Sequence, residues 1–161
     1  MKVRDVMTKA VVSCQTDADI GTAARMMLER GVGTVTVLDK HGRVAGVLTD
    51  RDIAIAAGTR QRNASHIGVH EAMSRKVRSC FAEDDVSDAL KQMEDARVRR
   101  LAVLDEKSHL AGILSIDDIA ARAIDQKDGI STVEFAKAFR RICSQPAKEA
   151  ETNGSDTFVS G

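Results

Sequence analysis

The stretch Gly46-Val47-Leu48-Thr49-Asp50-Arg51-Asp52-Ile53 recurs as Gly112-Ile113-Leu114-Ser115-Ile116-Asp117-Asp118-Ile119. Each copy reads as a strand running into a helix. A glycine followed by apolar and β-branched positions suits a buried strand, and Thr49 or Ser115 then stands where an N-cap hydroxyl meets the unpaired N–H groups of a first helical turn. Asp50, Asp52, Asp117 and Asp118 fall in those turns, where the helix dipole favours negative charge. An acid three residues after the hydroxyl is a capping box, which accounts for both copies by structure alone. The same groups also suit a nucleotide, with phosphate on the amides and ribose hydroxyls on the carboxylate. On spacing alone, capping is the simpler of the two readings.

Sliding the chain by the 66 residues that separate Thr49 from Ser115 aligns residues 3–54 with 69–120 without a gap. Matched identities include Met7/Met73, Cys14/Cys80, Ala23/Ala89, Met27/Met93, Val37/Val103, Gly46/Gly112, Leu48/Leu114 and Asp52/Asp118. Two copies of a unit this size are too few for a solenoid, so pairing about a pseudo-twofold axis is expected.

Each copy predicts strand, helix, strand, strand, helix. In the first, residues 11–14 form a short strand and Asp17 or Asp19 caps the following helix. Ile20, Ala23, Ala24, Met27 and Leu28 make its apolar stripe, and Gly31 takes the left-handed residue at its end. Val86, Ala89, Leu90 and Met93 repeat the stripe, so Met27 and Met93 read as core packing. Residues 32–38, a turn at 39–42 and residues 43–49 form a hairpin, repeated over 98–104 and 109–115. Residues 58–68 are polar and read as a linker. Ser131 to Glu134 opens a further helix with a capping box, with Phe135, Phe139, Ile142 and Cys143 on one face, and from Pro146 the composition suits a disordered tail.

The chain has 161 residues, 24 basic and 24 acidic side chains, so no net field attracts nucleic acid or an anionic membrane. Its start is charged and no apolar run reaches a membrane span, which places it in the cytoplasm. Cys14, Cys80 and Cys143 lack CxxC spacing and are expected as reduced thiols; that pattern argues against both a disulfide framework and a structural zinc site. The four histidines are scattered, so no metal is expected. There is no GxSxG elbow, P-loop or HExxH, and an enzyme is not expected. The absence of Trp and Tyr argues against stacking platforms for single strands.

Residues 7–125 resemble a tandem pair of CBS domains, a Bateman module. The likeness rests on Val6-Met7-Thr8 with Ala72-Met73-Ser74, on Val37-Leu38-Asp39 with Val103-Leu104-Asp105, and on the two opening stretches. It implies an α/β fold of two β-α-β-β-α repeats paired about a pseudo-twofold axis, plus a C-terminal helix and flexible tail. The boundaries are repeat 1 over 1–63, repeat 2 over 64–129, the helix over 130–145 and the tail over 146–161. Similar modules bind adenosine nucleotides in two clefts, and the family's Gly-x-x-[Ser/Thr]-x-x-[Asp/Asn] pattern stands in both copies. The resemblance therefore assigns Thr49 and Ser115 to phosphate and Asp52 and Asp118 to ribose, with AMP, ADP or ATP as regulatory ligand and S-adenosylmethionine or NADH possible. No cofactor is required.

Similar modules often carry phosphate-contacting basic residues where Arg97, Arg99 and Arg100 stand, and the first repeat has Gly31, Gly33 and Thr34 there. The expectation is that the Ser115/Asp118 cleft, with Arg99 and Arg100, holds phosphorylated adenosine ligands more tightly than the Thr49/Asp52 cleft, which relies on Arg51. A proline common in that strand is replaced by Thr36 and Ala102. The implied function is a stand-alone ligand sensor that signals to an unknown protein effector, most economically as a homodimer. The alternative is a structural dimerisation module whose clefts stay empty.

Overall fold

A computed structural model of the protein describes residues 1–144, so the tail expected over 146–161 lies outside the described residues. The first repeat runs α1 (Val3–Val6), β1 (Ser13–Gln15), α2 (Ile20–Arg30), β2 (Thr34–Leu38), β3 (Val44–Thr49) and α3 (Asp50–Thr59). The second runs α4 (Val69–Ala72), β4 (Ser79–Phe81), α5 (Val86–Ala96), β5 (Arg100–Leu104), β6 (Leu110–Ser115) and α6 (Ile116–Arg122), and α7 (Thr132–Cys143) follows. Each repeat holds a three-stranded sheet in which the first strand is parallel to the second and the second antiparallel to the third. This is the expected β-α-β-β-α order with a short leading helix added.

Local chemistry fixes the elements. Asp19 Oδ1 accepts the Thr22 amide at 2.9 Å and caps α2, while Gly31 closes it at φ 63°, where a glycine carries no steric penalty. In the first hairpin the Asp39 carboxylate accepts the His41 and Arg43 amides at 2.8 and 2.9 Å, an Asx turn that sets the reversal. Asp105 does the same for Lys107 and His109.

The cores divide the chain differently from the sequence repeat. Val3 and Val6 of α1 are buried with Leu90, Leu101 and Leu114 of the second repeat. Conversely, Ile67, Val69 and Met73, around α4, are buried with Ile20, Val35 and Leu48 of the first. The repeats have thus exchanged their leading helices. Bridges Lys2–Asp85 and Asp19–Gly68 form one equivalent pair across this exchange, and Thr8–Ile113 and Val47–Ser74 form another. Adding 66 to one partner and subtracting it from the other converts each bridge into its mate, which is the signature of the pseudo-twofold axis. The opening segments cross close to glycine: a Cβ on Gly46 would lie 2.7 Å from Met73 Sδ and 2.8 Å from the Ser74 carbonyl oxygen, and one on Gly112 would meet Met7 and Thr8 in the same way.

Two sequence expectations are corrected by packing. Leu28, placed on the apolar stripe of α2, is 83% exposed, because the buried face turns through Ile20, Ala23 and Met27 instead. The stretch 58–68 is not a plain linker: α3 extends into it, a 3₁₀ turn spans Ala64–His66, and Ile67 is fully buried. Arg60 and Arg62 then pin this connection to Glu71.

Helix α7 docks on α5 through Ala138 and Ile142, with Arg141 Nη1 2.8 Å from Glu94 Oε1. Ser131 caps its start. Of the expected stripe, Ile142 is buried and Phe135 half-buried, whereas Phe139, stacked on Phe135, is 41% exposed and Cys143 is exposed.

Candidate functional site

Two clefts open between the sheets. Each takes a helix start from one repeat and a strand opening from the other. The first, about 600 Å³, has Thr49 and Arg51 of repeat 1 facing residues 76–78 and 97–102 of repeat 2, with Thr34, Thr36, Val47 and Ile113 on its floor. Ile142 and Cys143 of α7 complete its wall. The second, about 310 Å³, has Ser115 and Asp118 facing residues 10–12 and 31–34 of repeat 1, with Thr8, Arg100 and Ile113. Both volumes lie in the range that holds small ligands.

This crossed construction overturns the expected distribution of charge. The Arg99 backbone carbonyl accepts the Ile116 amide at 2.9 Å, so its main chain does lie beside the Ser115 helix. Its guanidinium turns the other way, with Nη2 3.5 Å from Cys143 Sγ, into the Thr49 cleft. The Thr49 cleft is therefore lined by Arg51, Lys76, Arg78, Arg97, Arg99 and Arg100 and by no carboxylate. The Ser115 cleft has Arg100 against Asp118. Of the predicted basic residues, only Arg100 reaches both. Lys76 and Arg78 were not assigned by sequence, although the offset that pairs them with Ala10 and Val12 marks them as differing between the repeats.

The two helix starts are capped as the spacing foretold. Asp52 Oδ2 accepts the Thr49 amide and hydroxyl at 2.9 and 2.7 Å, and Thr49 Oγ1 accepts the Asp52 amide at 3.2 Å. Ser115 and Asp118 form the same box, with amide and hydroxyl contacts to Oδ2 of 2.9 and 2.5 Å. The outer oxygens differ. Asp118 Oδ1 accepts from Thr8 Oγ1 at 2.9 Å and from Arg122 Nη1 at 3.0 Å, whereas among the described residues no donor reaches Asp52 Oδ1. One carboxylate oxygen is an open acceptor at Asp52, and its counterpart at Asp118 is occupied. Capping and ligand presentation are thus compatible at Thr49, because one carboxylate oxygen serves each.

Two further features belong to the Thr49 cleft. Arg97 ends α5 at φ 51°, the left-handed conformation that its counterpart Gly31 adopts freely. An L-residue is held there at a cost of about 1–2 kcal/mol. Thr36, on the cleft face of β2 between the core residues Val35 and Val37, is fully buried and its Oγ1 has no hydrogen-bond partner.

Cys14 and Cys80, equivalent positions in the two repeats, are buried one in each core and line neither cleft. Burial pushes both thiols up, Cys80 to about 12 with Asp84 contributing, so both stay protonated. All three cysteines are free thiols. Among the described residues no group of three or more His, Cys, Asp or Glu is placed to hold a metal, and no helix is long and apolar enough to cross a membrane.

The crossed pair of β-α-β-β-α repeats has a counterpart among known proteins: residues 3–58 and 69–125 each match the CBS domain family. The chain belongs to the CBS domain family. Two CBS domains in tandem account for the repeat, the exchanged helices and the pair of clefts. Over 153 residues this CBS pair is 31% identical to an uncharacterized 17.7 kDa protein of Acidianus ambivalens, covering 95% of this chain and 84% of that one. A CBS domain protein of Pyrobaculum aerophilum, solved in complex with AMP, superposes with a TM-score of 0.68 at 18% identity, covering 87% of this chain and 99% of that one. The CBS domain pair of protein MJ0100, solved with 5′-methylthioadenosine and S-adenosyl-L-methionine, gives 0.65 at 22% identity over 75% of this chain and 94% of that one. These two likenesses are of fold. The chain also matches several homoserine O-acetyltransferases, of whose length it spans about a quarter.

Proposed function

We propose that this CBS pair is a regulatory module, without a catalytic step of its own, that binds an adenosine-containing ligand of the AMP, ADP or ATP class and passes a change of shape to a partner protein. The observation that carries this is the Thr49 cleft, in which a capped helix start and a basic wall enclose a volume suited to a nucleotide, with one oxygen of the neighbouring Asp52 carboxylate left open behind the lining. Thr49 and Arg51 would meet phosphate and Asp52 the ribose, with Arg99 and Arg100 completing the wall. Ser115 and Asp118 would take those roles in the smaller cleft, where the ligand must share Asp118 with Thr8 and Arg122. The ligands of the Pyrobaculum and MJ0100 proteins are adenosine compounds, which supports the class.

Helix α7 is the natural transmitter, since Ile142 and Cys143 touch the cleft while Phe139 and Val133 face outward, available to a second copy or an effector. We place the module in the cytoplasm as a homodimer, and light scattering at micromolar concentration tests the latter. A thermal-shift panel with AMP, ADP, ATP, S-adenosylmethionine and NADH tests the ligand class. Ligand at about a hundred times its dissociation constant adds about 2.7 kcal/mol, a rise of several degrees for a chain of this size. No rise with any compound returns the structural alternative with empty clefts.

A further inference from the structure

Helix α7 has no counterpart in the first repeat, and it reaches one cleft only. Ile142 and Cys143 line the Thr49 cleft, and no residue of α7 lines the Ser115 cleft. The chain therefore leaves Ser144 at the wall of the Thr49 cleft and continues for the 17 residues 145–161, outside the described residues.

Positive charge is gathered on the same side. Lys76, Arg78 and Arg99 line the Thr49 cleft where the pseudo-twofold axis puts Ala10, Val12 and Gly33 on the other, and Arg51 stands where the other helix start has Asp117. Elsewhere Arg4, Arg60, Arg62, Arg122 and Arg141 each meet a carboxylate. Among the described residues Arg51, Lys76, Arg78, Arg99 and Arg100 form no salt bridge, and no carboxylate lines their cleft. Like charges crowded on one surface repel, so this wall calls for an anionic occupant. Residues 145–161 hold Glu149, Glu151 and Asp156 against Lys148 alone, three acids less one base, a net charge of −2.

We propose that this acidic segment docks in the Thr49 cleft of its own chain, with Glu149 and Glu151 on the cations of residues 76–78 and 99–100, and that it holds the cleft until an anionic ligand displaces it. The docking does not depend on the adenosine reading, because the segment answers the same charges whichever ligand follows.

Reach favours it. Glu149 and Glu151 stand five and seven residues beyond Ser144, and at about 3.3–3.6 Å per extended residue they span up to about 18 and 25 Å from a point already on the cleft wall. A segment tethered this closely meets the cleft at an effective concentration of millimolar order. Pairs that are individually weak at a surface then suffice, and guanidinium groups add paired charge-assisted bonds to each carboxylate.

Thr36 gives an independent sign that the cleft takes an occupant. Its side chain is fully buried on the cleft floor and its Oγ1 has no partner, whereas buried hydroxyls are almost always paired. An extended peptide segment carries the N–H and C=O groups that pair with a hydroxyl.

Carbodiimide coupling of the full chain, read by peptide mass spectrometry, tests the docking, because it joins a carboxylate to an amine only where the two are in contact. Lys76 is the one lysine lining the cleft among the described residues, so a link from Lys76 to Glu149 or Glu151 reports the docked segment. In the wild type that link should outnumber links from the same glutamates to Lys137, which lies nearer in sequence on α7. It should fall at least fivefold in Arg78→Val/Arg99→Gly, which keeps Lys76 and both glutamates, changes exposed positions and installs the residues of the other cleft; the melting point checks that this variant folds. Mixing labelled with unlabelled chains should give unmixed pairs only. Dominant links to Lys137, or a yield unchanged in the variant, overturn the docking, and mixed pairs overturn its assignment to the same chain in favour of a second copy's segment. Calorimetric titration with ATP reads the competition: Glu149→Gln/Glu151→Gln/Asp156→Asn should bind at least threefold more tightly than wild type. Equal ATP affinity overturns the displacement. No ATP heat in either protein, with the Lys76 link present, sinks the adenosine reading and leaves the docking standing.

Discussion

Replacing Arg97 by glycine separates the backbone cost of the Thr49 cleft from its charge. At φ 51° an L-side chain costs about 1–2 kcal/mol relative to its ordinary conformations. Glycine removes that cost but gives the unfolded chain more freedom, worth about 0.4–1 kcal/mol in the opposite direction. The net expectation for Arg97→Gly is a gain of about 0.5–1 kcal/mol in the absence of ligand. At about 2–4 °C per kcal/mol for a chain of this size, the melting temperature should rise by about 1–4 °C. The guanidinium is lost with the strain, so the further rise produced by saturating ATP should be smaller than in wild type. Differential scanning calorimetry, with and without ATP, reads both. A variant less stable than wild type without ligand would refute the reasoning, because the contacts of the Arg97 side chain would then outweigh its backbone strain.

Thr36→Val keeps the shape of the side chain and removes the unpaired hydroxyl; with about 1–3 kcal/mol at stake for a buried unsatisfied group, urea unfolding should show a more stable protein that binds nucleotide less tightly. Gly112→Ala and Gly46→Ala each set a Cβ under 3.0 Å from a backbone oxygen and a methionine sulfur, and each should destabilise by about 1–3 kcal/mol in the same assay. Acid unfolding should begin only below about pH 4. Backbone amides hold Asp19, Asp39, Asp105 and Glu71 below the usual carboxylate range, so their contribution is complete above the unfolded-state values and is lost as pH falls through the lowered ones. Asp19→Asn should reduce that loss. In a thiol assay with Ellman's reagent, only Cys143 should react in the folded protein and all three cysteines in denaturant; ATP should slow Cys143, which lines the Thr49 cleft.

What the sequence disclosed, and what it withheld, follows the range of the interactions concerned. Capping by Asp19, Thr49, Ser115 and Ser131 is settled within four residues, and each cap stands where the spacing placed it. The hairpin turns and the α5 stripe are equally local. Leu28 and Ile67 depend on which neighbours arrive from elsewhere, and pattern alone misjudged both. The arginines mark the sharpest limit: the chain does place Arg99 beside the Ser115 helix, but one backbone hydrogen bond says nothing of which way a long side chain turns. Once the repeat is known to be crossed, the comparison of Arg97 with Gly31 and Lys76 with Ala10 was available from sequence. What was missing was the knowledge that the two columns face different clefts.

The exchange of α1 and α4 means that neither half of this chain owns a complete interior. Severed between the repeats, at Gln61, the N-terminal half would keep Ile20, Val35 and Leu48 but lose Ile67, Val69 and Met73, and it would carry Val3 and Val6 with no interior of its own to enter. A fragment in that condition has one vacancy and one loose plug that nearly match, because both come from the same repeated design. Two such fragments can each close the other, so the isolated half should gather as a twofold assembly of identical pieces, and the intact chain is that assembly written as one polypeptide.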